Sequence, residues 1–113
     1  MYAVDRSAIV IRMKQPYLDW IKSLPDAEDL TLDRLNRENN IYMIQEYETD
    51  SHLVSILKNV YSDIFEVELS GWYRIEEAWP KNRDYKTFRK WFEVESHSMV
   101  FDLMDQGIGE EVK

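Results

Sequence analysis

Residues 7–24, SAIVIRMKQPYLDWIKSL, decide the fold class because a strand pattern passes directly into a helix pattern. The first seven residues are rich in β-branched side chains and are apolar on both faces, which is typical of a strand inside a sheet. After Pro16, which suits a first helical position, four apolar residues fall on one helical face: Tyr17, Trp20, Ile21 and Leu24. Pro25 then ends the helix. The sequence therefore predicts a strand followed at once by a helix.

The middle of the chain repeats this alternation. A short helix is predicted from about Thr31 to position 40, and a strand is predicted over residues 41–47. Thr49 or Asp50 can cap the next helix. Its apolar residues follow the spacing of a buried stripe: Leu53, Ile56, Leu57, Val60 and Ile64.

The last third of the chain predicts one more helix and one more strand. Gly71 is expected to stop the preceding helix a little beyond its end. A helix is then predicted over about residues 82–93, and alternation of apolar residues predicts a strand over residues 97–103. We expect residues 1–104 to form one compact domain and residues 105–113 to form a flexible tail.

The predicted order is strand, two helices, strand, two helices, strand. This order predicts an α+β fold, in which a three-stranded sheet is packed by about four helices. The order of the strands in the sheet stays open. If the first two strands were parallel, their crossover would be right-handed.

The composition narrows the class of protein. The chain has 113 residues, no cysteine, and 14 basic against 22 acidic residues, which gives a net charge of −8. The absence of cysteine excludes disulfides, thiolate metal sites and thiol catalysis. The longest wholly apolar run is far shorter than a membrane span, and the N-terminus lacks the pattern of a signal peptide. We therefore expect a soluble, cytoplasmic protein without membrane association, and no cofactor.

Residues 72–92 combine aromatic and basic side chains. They include seven aromatic residues, and positions 81–90 hold five basic residues and one acidic residue. Large rings beside cationic groups are common at protein interfaces. The candidate binding residues are Trp72, Tyr73, Trp79, Arg83, Lys86, Arg89 and Lys90.

This segment has other interpretations. The basic residues can be the solvated face of an amphipathic helix, or they can bind an acidic protein or a nucleic acid. The acidic remainder of the chain makes nucleic acid the least favoured partner. The rings of Trp72, Tyr73 and Trp79 can instead fill one end of a small core.

A second candidate site consists of acidic residues and a histidine at the ends of strands: Glu46, Glu48, Glu95 and His97. If the strands that carry them are neighbours, these groups could transfer protons or bind a metal ion. Alternation also places His97 with Met99 and Phe101 on the expected core face. A partly buried histidine without a ligand is therefore the other interpretation, and no metal site is predicted.

Four segments, DRSAIVIRMKQPYLDWIKSL, ELSGWY, the Trp79–Pro80 pair and FRKWFEVESHSMVFDL, carry a resemblance to other proteins. Together they resemble a group of small uncharacterised bacterial proteins of about this length. The resemblance covers most of the chain and implies a bacterial, cytoplasmic, stand-alone domain. It supplies no catalytic residues.

The sequence favours a noncatalytic protein-interaction module over an enzyme, although catalysis is left open. Residues 72–92 would bind a protein partner or a second copy of the chain. The alternative is a small enzyme or ligand-binding protein that uses the group of carboxylates and histidine.

Overall fold

A computed structural model describes residues 1–25, 27 and 29–109. The strands are β1 (Tyr2–Ala3), β2 (Ser7–Met13), β3 (Ile41–Ile44), β4 (Phe92–His97) and β5 (Phe101–Asp102). The helices are α1 (Gln15–Lys22), α2 (Leu32–Leu35), α3 (Asp50–Trp72) and α4 (Tyr85–Trp91), with a 3₁₀ helix at Glu76–Ala78. None of the described helices is long and apolar enough to cross a membrane.

The predicted α+β class and the three-stranded sheet are confirmed. The strand order is β3-β2-β4, and both pairs are antiparallel. The parallel alternative, with its right-handed crossover, therefore does not occur. On the face of β2 that meets the helices, Ser7, Ile9, Ile11 and Met13 are all buried.

β1 and β5 form a separate two-stranded ribbon, which we call the arm. The arm continues the β2–β4 ladder, because Ala8 pairs with His97 and the Val4 N–H donates to the Val100 carbonyl at 2.8 Å. Val4 lies four positions before Ala8, whereas Val100 lies three positions after His97. This offset of one residue marks the place where the arm leaves the sheet.

Aromatic rings join the helices to the sheet. Phe65 of α3 is fully buried. Its ring lies 6.0 Å from that of Phe88, 5.5 Å from that of Trp91 and 5.2 Å from that of Phe92. These tilted and edge-on contacts are the arrangements that aromatic pairs prefer. The centre of the core therefore lies where α3, α4 and β4 meet.

The predicted strand over residues 97–103 does not form as one strand, since His97 ends β4 and only Phe101–Asp102 form a strand, β5, within the rest of that range. β4 begins at Phe92, directly after α4, and ends at His97. The prediction extended the helix to position 93 because Phe88 and Phe92 are spaced for one helical face. Phe92 has extended backbone angles, with φ of −133° and ψ of 141°, and its side chain is buried from the strand instead.

Five further predicted boundaries need correction. α1 ends at Lys22, before Leu24, and α4 begins at Tyr85 instead of about position 82. β3 ends at Ile44 instead of position 47. α3 runs to Trp72, so Gly71 lies inside the helix rather than beyond it. α2 ends at Leu35, because the Asn36 side chain bonds to the main chain of Met13, accepting from its N–H at 2.7 Å and donating to its carbonyl at 3.0 Å. In the predicted tail, residues 105–109 form no helix or strand, and residues 110–113 lie outside the described residues.

Candidate functional site

The three aromatic candidates of the 72–92 segment lie in different environments. Trp72 ends α3 and is 40% exposed, and Tyr73 is half-buried. Trp79 is only 7% exposed, and its indole Nε1–H donates to the Tyr73 carbonyl at 2.7 Å. The Arg83 guanidinium lies over its ring, 5.7 Å from the centroid. Trp79 thus belongs to the core, and Trp72 is the exposed ring of the three.

Three of the four basic candidates form a stripe on α4, and the fourth, Arg83, precedes the helix. Lys86, Arg89 and Lys90 are exposed, and none of them makes an ion pair within the described part of the chain. The helix is capped by Asp84, whose side chain accepts from the Thr87 N–H at 2.8 Å. Hydrogen bonds from Thr87 hold the pKa of Asp84 below its usual value. This stripe faces solvent and is free to attract an acidic surface.

The carboxylate and histidine candidates do not form one group. β2 lies between β3 and β4, so the strand adjacency that this prediction requires is not present. Glu46 and Glu48 lie in the exposed connection after β3, on the far side of β2 from β4. Within residues 1–25, 27 and 29–109, no three metal-ligating side chains come together.

Glu95 and His97 do meet each other. Glu95 lies 2.8 Å from the ring Nε2 of His97 and accepts from the Arg12 guanidinium at 3.0 Å. The hydrogen bond with His97, and then that with Arg12, lowers the pKa of Glu95. His97 is exposed at the end of β4, so its predicted place on the core face is wrong.

A different feature is an apolar concavity beside the sheet. A cleft of about 560 Å³ runs between β3 and α3. Its lining is mainly aliphatic and aromatic: Tyr42, Met43, Ile44, Ile56, Val60, Ile64 and Val67, with Arg6, Gln45, Asn59 and Asp63 as polar members. We call it the β3–α3 cleft. Its size and lining are those of a ligand or peptide site.

One side of the β3–α3 cleft is formed by the outer edge of β3. The Ile11 N–H donates to the Asn40 carbonyl at 3.2 Å, and Ile9 pairs with Tyr42. Because hydrogen-bonded pairs alternate along an antiparallel ladder, the N–H and C=O groups of Ile41 and Met43 point away from β2. Within the described part of the chain, no strand pairs with them. β3 therefore presents an open edge beside an apolar cleft.

A buried carboxylate joins the two elements that form the cleft, β3 and α3. Glu68 of α3 is 5% exposed. Its Oε2 accepts from the Tyr42 hydroxyl and from the Asn40 amide, the latter at 2.9 Å. The Tyr17 hydroxyl donates to the Glu68 main-chain carbonyl at 2.6 Å. These bonds tie α3 to both β3 and α1.

The Tyr17 and Tyr42 hydroxyls should make the free energy of unfolding depend on pH in the alkaline range. Burial, followed by the nearby Glu68, raises the pKa of both groups above the ordinary value of 10.0. Above pH 10 the unfolded tyrosines release protons that the folded ones keep, so the free energy of unfolding should fall as pH rises. We expect urea unfolding at stepped pH to show a shallower fall for Tyr42→Phe than for the natural chain. Equal slopes would contradict this assignment.

Sequence reasoning missed both the cleft and Glu68. The one available signal was the position of Glu68, which follows Ile64 by four residues and so continues the apolar stripe of α3. Nothing in the sequence showed that β3 lies at an edge of the sheet.

The fold and this cleft define a small α+β domain with an open apolar groove beside a strand edge. Comparison of the chain with protein-family models, with curated proteins and with solved structures finds no significant match.

Proposed function

We propose that this chain is a noncatalytic protein-interaction domain that binds an extended segment of a partner protein in the β3–α3 cleft. The segment adds as a strand to the open edge of β3. The observation that carries the proposal is an apolar cleft beside the Ile41 and Met43 backbone groups, with which no strand of the described residues pairs.

Strand addition divides recognition between backbone and side chains. The backbone of the segment bonds to the Ile41 and Met43 groups, which supplies affinity without regard to sequence. Alternate side chains of the segment then enter the cleft, where Ile56, Val60 and Ile64 form an aliphatic surface. The preferred segment is thus extended and apolar at every second position.

The candidate residues of the 72–92 segment have a supporting role in this proposal. Lys86, Arg89 and Lys90 carry positive charge on a chain of net charge −8. Exposed charges of this kind mainly raise the rate of association with an oppositely charged partner. Trp72 adds an exposed ring, while Trp79 and Arg83 hold the surrounding loop in place.

A small apolar ligand is the second candidate, and the volume of the cleft favours it. Such a ligand would not need the edge of β3. Met43→Pro removes the outward N–H of the edge and leaves the bonds to β2 intact, since proline is tolerated on an edge strand. The variant therefore separates strand addition from ligand binding.

We expect peptides selected from a random-sequence display library to bind with apolar residues at alternate positions. Val67→Lys places a charge in the cleft and should weaken binding about tenfold or more, equivalent to about 1.4 kcal/mol. Met43→Pro should weaken it similarly because a backbone bond is lost. Affinity can be measured by calorimetry.

The matched control is Val54→Lys. Val54 lies on the same helix and is 39% exposed, close to the 44% of Val67, but it does not line the cleft. The Val54→Lys substitution should leave the affinity for the selected peptides unchanged. Selected peptides that bind all three variants equally would overturn the proposal, and loss of binding in Val67→Lys alone would favour a ligand pocket over strand addition.

A further inference from the structure

We propose that a second copy of this chain supplies the segment, and that two copies exchange their arms reciprocally, each arm occupying the β3–α3 cleft of the other. This inference rests on the proposed function, because it requires that the cleft accepts an extended apolar segment. It identifies the segment that occupies the cleft as the arm of a second copy of the chain.

The arm has the chemistry that the cleft accepts. Phe101 lies in β5, and Met99 and Leu103 lie two positions before and after it; each of the three is more than half exposed. Alternate residues of a strand share one face, so these side chains would form one apolar row if the segment extended β5 on docking. The described residues leave all three largely uncovered.

Among the described residues, no strand pairs with the outer edge of β5. The Val4 N–H bonds to Val100, and Tyr2 pairs with Asp102. By ladder alternation, the backbone groups of Phe101 point away from β1. This edge can pair with the outward groups of Ile41 and Met43. An isolated two-stranded ribbon is at best marginally stable in water, so pairing of this kind would stabilise the arm.

The positions of the arm and the cleft suit reciprocal exchange. Ser7 pairs with Ile44, so the arm leaves the sheet at the same end as Gln45, which lines the cleft. Residues 98–104, when extended, span about 23 Å, whereas the four residues of β3 span about 13 Å. The segment of one copy is therefore long enough to pair along the whole of β3 in the other copy. A two-fold axis then repeats the contact and closes the assembly.

The described lining of the cleft carries one cation, Arg6, whose ion pair with Asp5 is exposed, and one anion, Asp63. The segment around β5 brings Asp102 and Asp105. Their carboxylates can approach Arg6 without leaving water.

Light scattering over a dilution series tests the inference. We expect a dimer that dissociates on dilution. Phe101→Ser combined with Leu103→Ser should raise the dimer dissociation constant about tenfold or more. Ile75→Ser is the control, since Ile75 is 54% exposed, close to the 56% of Phe101, but lies outside the arm and the cleft, and it should leave the constant unchanged.

A synthetic peptide of residues 98–104, SMVFDLM, provides the second measurement. It should bind the Phe101→Ser/Leu103→Ser chain, which keeps its cleft, and fail to bind the Val67→Lys chain. Circular dichroism checks that each variant is folded. A chain that stays monomeric while peptides from the library still bind would overturn arm exchange and leave the proposed function standing. A dimer that persists in Val67→Lys, with no library peptide bound, would overturn both.

Discussion

Replacing Phe65 by alanine should lower the free energy of unfolding by about 3–5 kcal/mol, the usual cost of deleting a fully buried ring. Phe65 is the point at which α3 contacts both α4 and β4. Its ring lies within 6.0 Å of the ring centroids of Phe88, Trp91 and Phe92. These neighbours belong to two consecutive elements, so they cannot close the cavity without shifting the junction between helix and strand.

Urea unfolding of the variant beside Val54→Ala measures this effect. Val54 is a partly exposed residue on the same helix, and its truncation should cost less than about 0.5 kcal/mol. A loss below about 1 kcal/mol for Phe65→Ala would show that the core does not centre on this ring.

Replacing Glu68 by alanine should cost about 3 kcal/mol, because the Tyr42 hydroxyl and the Asn40 amide would each lose an acceptor. A buried donor without a partner costs about 1–3 kcal/mol. Glu68→Gln should cost less, since its amide oxygen can still accept from Tyr42. Losses of this size are measurable by chemical unfolding.

Glu66→Ala is the control for this second effect. Glu66 lies on the same helix two residues earlier, is exposed, and makes no ion pair with the described residues. Its replacement should change stability by less than about 0.5 kcal/mol. Equal effects of the two replacements would contradict the role assigned to the Glu68 carboxylate.

Local patterns in the sequence were sufficient to predict the central strand and the long helix. β2 has the predicted bounds, 7–13, because its β-branched run is interrupted by neither glycine nor proline. α3 begins where Thr49 accepts from the His52 N–H, as a capping residue does. β4 was misplaced because Phe88 and Phe92 satisfy helical spacing equally well, and only the pairing of Phe92 with Met13 decides between helix and strand.

The site was harder to predict because it depends on contacts between distant segments. Trp79 is buried by a loop that folds back on Tyr73, which no local pattern indicates. The edge position of β3 follows from the pairing of β2 with β4, whose paired residues lie 79 to 89 positions apart in the chain. The cleft exists only where that edge meets α3.

Amide hydrogen exchange at β3 tests strand addition most directly. In dilute protein the Ile41 and Met43 amides should exchange fast, while the Tyr42 amide, which faces β2, should be protected. Saturation with a selected peptide, or with SMVFDLM, should slow exchange at Ile41 and Met43 and leave Tyr42 protected as before. Unchanged fast exchange at Ile41 and Met43 in the saturated complex would contradict binding at the edge of β3.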